Sequence, residues 1–230
     1  MLLTYTRYTT WFIGLVSVLT SLFFGNEETL YIKPLFHVGL YTFFYVSNKK
    51  HSGLLLMFLL AGMVAEFLTA KNFEYYYAII NILFAIYFSI GILFQVPVLK
   101  TAKLKLSNTT GILGVLFSSI ILYIVYALVY YSVQEFNEQV PAVIGAITFV
   151  GFVGSCFYVT LFHPHPKKVT LFIVGICYFI VCIGYLVYEL LFTNTLLIAL
   201  INTTEIIAQF AFVRFLISRS EFLKKQEWLI

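Results

Sequence analysis

No aspartate occurs in the chain; all ten of its acidic residues are glutamate. That absence removes the paired aspartates and aspartate-rich metal clusters on which many hydrolases depend. Charge of either sign is also scarce, with 10% Asp, Glu, Lys and Arg against about 25% in soluble domains. An ordinary soluble fold is thereby excluded. The three cysteines, Cys156, Cys177 and Cys182, lie inside apolar runs and form no metal-ligand pattern, so they read as small core hydrophobes. There is no Gly-x-Ser-x-Gly, no His-Glu-x-x-His and no phosphate loop, which removes the motif-bearing hydrolase and nucleotide-binding classes. No lysine occurs in 169–192 or 195–218, so a retinal Schiff base in the last helices is excluded.

What the chain has in abundance is apolar side chains. Of its 230 residues 61% are hydrophobic and 19% aromatic, with a mean hydropathy of +0.96. Runs of about 20 apolar residues mark membrane helices. Eight such spans are predicted, at about 8–25, 30–47, 52–70, 75–96, 109–132, 140–162, 169–192 and 195–218. The first resembles a signal peptide in length, but seven further spans follow it and no small-residue cleavage site does, so it is counted as a helix. The fold expected is an all-α bundle of eight transmembrane helices in a single domain.

Loop charge orients the bundle. Arg7, Lys49, Lys50, Lys100, Lys103, Lys105, Lys167, Lys168, Arg219, Lys224 and Lys225 all fall on one side, which makes eleven of the 14 basic residues. Only Lys33 and Lys71 fall on the other, with Glu27, Glu28, Glu74, Glu135 and Glu138. Positive residues accumulate in cytoplasmic loops, so both termini are expected in the cytoplasm, in the inner membrane of a bacterium. The basic residues are spread over short loops without a nucleic-acid motif, so no nucleic-acid partner is expected. The Asn-x-Thr matches at Asn108 and Asn202 lie in an inner loop and a span, where neither is a glycosylation acceptor.

An ionisable group inside a span disfavours insertion by about 2.5–3.5 kcal/mol and calls for a partner or a role. Glu66, Glu189 and Glu205 meet that description, with Lys33 and His37 at the head of the second span. Glu205 and Gln209 are four apart and share a helix face. These residues suggest a polar cleft with Lys33, Glu66 and Glu189 at its mouth and Glu205 and Gln209 deeper. Lys33 either neutralises a glutamate or holds a phosphate. Structural readings stand beside this one: a snorkelling Lys33, a solvated Glu189, and interhelical hydrogen bonds for Glu66 and Glu205. In "HPHP" at 163–166 two histidines sit in a rigid turn and form a weak metal signal.

The "KPL" of Lys33, Pro34 and Leu35 and the "AQF" of Ala208, Gln209 and Phe210 resemble signatures of the YhhN-like, or lysoplasmalogenase-like, membrane proteins. "AEFL" with Glu66 is similar to that family's Gly-Asp-Leu stretch if Glu replaces Asp; "GMVA", with Gly62 and Met63, is a competing register. Gly175 and Phe179 match the seventh-span pattern, in a register that places Cys182 and Ile183 where the family has Ser and Asp. A histidine of the family's fourth span falls near Ser89. The resemblance implies hydrolysis of the vinyl ether bond of a lysolipid, releasing an aldehyde, with no cofactor or metal. It implies Glu66 as general acid, Glu205 or Glu189 orienting water, and Lys33, His37 and Gln209 binding substrate, with Lys33 on the headgroup phosphate. The alternative is a non-catalytic membrane protein binding lipid or a small molecule. A transporter is less favoured, because no internal repeat is evident.

Overall fold

The computed structural model of the chain describes residues 1–101, 108–136, 138–163, 165, 167–191 and 193–227, with backbone alone for 26–27, 108–118, 120, 128 and 220–227. Lys103, Lys105 and the two prolines of "HPHP" lie outside the described residues. Among the described residues there is no strand. The helices are α1 (Leu2–Phe23), α2 (Asn26–Thr29), α3 (Lys33–Asn48), α4 (Gly53–Leu99), α5 (Asn108–Phe136), α6 (Gln139–Phe162), α7 (Lys168–Leu190) and α8 (Thr195–Glu227).

The expected third and fourth spans are joined in α4. Its 47 residues would reach about 70 Å if straight, more than twice the hydrocarbon thickness. The helix does not run straight. Asn72 has extended backbone (φ −169°, ψ 96°), and its side chain accepts a hydrogen bond from the Tyr75 N–H at 2.9 Å. Asn72 therefore caps a new helix. The Phe58 ring stacks on Tyr87 at 3.9 Å and meets Phe94 edge-on at 6.3 Å. Contacts between residues 14 before and 15 or more after the break require that 53–71 and 73–99 fold back on each other as an antiparallel hairpin.

Among the described residues four helices are long and apolar enough to cross a membrane: α4, α6, α7 and Thr195–Arg219 of α8. Large apolar side chains such as Phe12, Ile82, Leu93, Ile147 and Leu200 point outward, a surface compatible with lipid. α8 is the centre of the bundle, since 67% of its apolar window is buried against 44% for each of the other three. α1, α3 and α7 pack directly on it, and α4 packs on α6. Close approach depends on small residues, as is usual between membrane helices. A Cβ on Gly14 would stand 2.8 Å from Ile206, and one on Gly184 2.7 Å from Ile201. The polar residues carried by α8 are consequently walled in on several sides.

Candidate functional site

Lys33 opens α3 with Pro34 in the first turn, where the missing proline N–H has no intrahelical acceptor to lose. This start lets the Lys33 side chain run inward. His37 lies one turn on, and its Nδ1–H donates to the Lys33 carbonyl at 2.9 Å. A carbonyl only accepts, so Nδ1 carries the proton and Nε2 faces the Glu66 carboxyl, 3.5 Å from Oε1. Glu66 is supplied by the first half of α4, Glu205 and Gln209 by α8, and Tyr185 by α7.

The five polar side chains predicted from α3, α4 and α8 meet in one cluster. Lys33 Nζ donates to Glu205 Oε2 at 2.8 Å and stands 3.6 Å from Glu66 Oε2. It also reaches the Tyr185 hydroxyl at 3.4 Å. Gln209 Nε2 donates to Glu66 Oε1 at 2.8 Å. Both carboxyls thus face the same ammonium. Every member is buried, Lys33 to 6% exposure and Glu66 and Glu205 to 4%. Charges this far from water persist only when paired and hydrogen-bonded.

Two placements differ from the cleft expected. Lys33 is neither at a mouth nor snorkelling; its ammonium is turned onto the carboxylates, which are better ligands in an apolar interior than distant water. Glu189 does not join the cluster. It is half-buried on α7, and the charge it feels is that of Glu74, beside the Asn72 turn.

The cluster forms one end of a cavity of about 120 Å³ between the second half of α4, α5, α6 and α7. Glu66, Glu205 and Gln209 reach its wall, whereas Lys33 and His37 lie behind them and do not. The remaining wall is largely apolar and aromatic, with Phe84, Phe88 and Phe149 prominent. Cys182 and Ile183 line it as well. Tyr87 and Tyr178, whose hydroxyls are hydrogen-bonded to each other, stand on the wall near the carboxylates. At the far end Tyr77 donates to Ser132 of α5 at 2.8 Å and stacks on Phe136 at 4.4 Å, which ties α5 over the chamber.

Sequence reasoning singled out no tyrosine and so passed over Tyr87, Tyr178 and Tyr185. Their spacing within spans was the available signal. It also missed Asn202, two turns before Gln209 on α8, which is fully buried with neither amide atom hydrogen-bonded. The two histidines of the 163–166 turn are buried; His163 Nε2 pairs with Thr101 Oγ1 at 2.9 Å, and His165 Nδ1 accepts from the Lys167 N–H at 3.0 Å. Among the described residues no three His, Cys, Asp or Glu side chains are grouped to hold a metal. No protein-family model, curated protein or solved structure matches the chain.

Proposed function

We propose that the chain is an eight-crossing membrane protein with both termini cytoplasmic, which binds a single-chain amphiphile and cleaves its vinyl ether in the manner of the lysoplasmalogenase-like proteins it resembles. The observation that carries this reading is the apolar chamber ending on Glu66, Glu205 and Gln209. An alkenyl segment suits the apolar wall, and the ether linkage then lies against the carboxyls. Two buried carboxyls share a single lysine, so the cluster keeps one exchangeable proton.

In this mechanism that proton passes from the Glu66–Glu205 pair to the β-carbon of the vinyl ether, which leaves an oxocarbenium at the α-carbon. The carboxylate so formed stabilises the cation. Water adds to the α-carbon and returns a proton to the pair. The resulting hemiacetal breaks its C–O bond to give an aldehyde and the glycerol hydroxyl. Lys33 fixes the two carboxylates, and His37 orients Glu66. Glu189, outside the cluster, takes no step.

The test supplies purified protein with lysoplasmalogen and traps the aldehyde. General acid catalysis contributes about 10²–10⁴-fold, so Glu66→Gln and Glu205→Gln are each expected to lower kcat by about 100-fold or more. Unchanged turnover in both variants removes the assignment. Absence of any turnover favours the second reading, a ligand-binding membrane protein. That reading draws on the chamber wall carrying no cation to meet a phosphate.

A further inference from the structure

Among the described residues the chamber wall offers hydrogen-bond acceptors and negative charge without a basic side chain. Its charged residues are Glu66 and Glu205, while Lys33 and His37 stand behind them. Two buried acceptor atoms on wall residues, Glu66 Oε2 and Gln209 Oε1, receive no hydrogen bond. Neither atom donates; Glu66 Oε2 has only the Lys33 ammonium at 3.6 Å, and Gln209 Oε1 calls for a donor. The charge count points the same way. Two carboxylates face one fixed cation, Lys33, with the titratable His37 ring 3.5 Å from Glu66, and an apolar interior demands balance. The second positive charge is either a proton on the cluster or a cation brought by a ligand.

We infer that the chamber takes an apolar monocation, an ammonium group on a small hydrocarbon body. The ammonium supplies the missing donor and the missing charge at the Glu66–Glu205–Gln209 end. The body occupies the aromatic remainder, which Tyr87, Phe88 and Tyr178 line. Size limits the body. An engineered apolar cavity of about 150 Å³ holds benzene, so about 120 Å³ admits a ring or a short chain. Such a ligand displaces the proton that the hydrolytic mechanism uses and therefore inhibits turnover. The inference rests on the chamber being a ligand site, not on its being catalytic.

The experiment is a ¹⁹F NMR titration of 4-fluorobenzylamine into the purified full chain in detergent at pH 7. 4-Fluorobenzyl alcohol and 4-fluorobenzoate serve as neutral and anionic isosteres, with empty micelles as background. The amine is expected to bind saturably and at least tenfold more tightly than the alcohol, and the benzoate not at all. Glu205→Gln is expected to weaken amine binding at least tenfold while leaving the alcohol unchanged. Ala146→Phe, which fills the chamber from α6, is expected to abolish both. If alcohol and amine bind equally, the chamber stands and its preference for a cation falls. Should neither bind above micelle background, the chamber is not a ligand site and the inference falls with that reading. Where Glu205→Gln does not fold, the three isosteres on the unaltered protein still decide.

Discussion

Replacing Lys33 by methionine keeps much of the side chain and removes the ammonium 2.8 Å from Glu205 and 3.6 Å from Glu66. Two buried carboxyls are then left without their cation. Breaking a buried pair from one side typically destabilises by about 3–5 kcal/mol, whereas removing both charges is far milder. Lys33→Met is expected to lose stability on that scale in a denaturant titration in mild detergent. Lys33→Met/Glu205→Gln is expected to regain most of it, and a double variant as unstable as the single one argues against coupling. Outside the spans, burial and then the neighbouring His163 push His165 down to about 4; burial lowers His163 too. An unfolded histidine titrates near about 6.5. Between about 6.5 and 4 the unfolded chain therefore holds the extra proton, so this stability is complete above 6.5 and is lost as pH falls. The melting temperature should drop from pH 7 to pH 5, with a shallower drop in His165→Gln. Equal slopes would count against a buried neutral His165.

At the scale of elements, the chamber depends on how closely 73–99 approaches α6. A Cβ on Gly91 would meet the Phe152 ring at 2.5 and 2.6 Å. Phe152 is fully buried among Phe88, Tyr178 and Phe212, so the ring has no space to retreat into. Overpacking of this kind destabilises by about 1–3 kcal/mol. Gly91→Ala is expected to lower the melting temperature accordingly, while Gly154→Ala, whose Cβ meets nothing within 4 Å, leaves it unchanged or raises it through better helix propensity. Equal effects at the two sites would show that the α4–α6 contact is not tight. The hairpin at Asn72 belongs to the same scale. It brings Glu66 from one limb and Tyr87 from the other to a single chamber.

The whole molecule is a set of helices around α8 with apolar side chains on the outside. The eight crossings we propose would put both ends of the chain on one membrane face. In sealed vesicles of known orientation, tags at residues 1 and 230 should both be cleaved from the same side. Protection of one tag alone would mean an odd number of crossings. Among the described residues four helices meet the requirements of a span by length and apolarity; α1 and α3 are more polar, and they shield the cluster from one side.

Much of this could be read from the chain itself. Helix positions follow from apolar runs long enough to bury every backbone N–H and C=O within the helix, a demand that lipid imposes locally. Lys33, His37, Glu66, Glu205 and Gln209 were each conspicuous for the same reason, since a polar group inside an apolar run needs an explanation. Their pairing was not legible. Lys33 meets Glu205 across 172 positions, and such a contact depends on which helices neighbour α8 and how far each is rotated. Glu189 shows the difference, being equally conspicuous in the sequence but turned away from the cluster. The inward tyrosines and the chamber likewise exist only where five helices, α4 to α8, meet. Local chemistry along the chain dictates that it is helical and apolar and that certain charges need partners, because hydrophobicity and helix propensity act locally. Tertiary structure alone decided which charges pair, that Lys33 stands behind the carboxylates, and that an acceptor-lined cavity opens beside them, because packing joins residues the chain holds far apart.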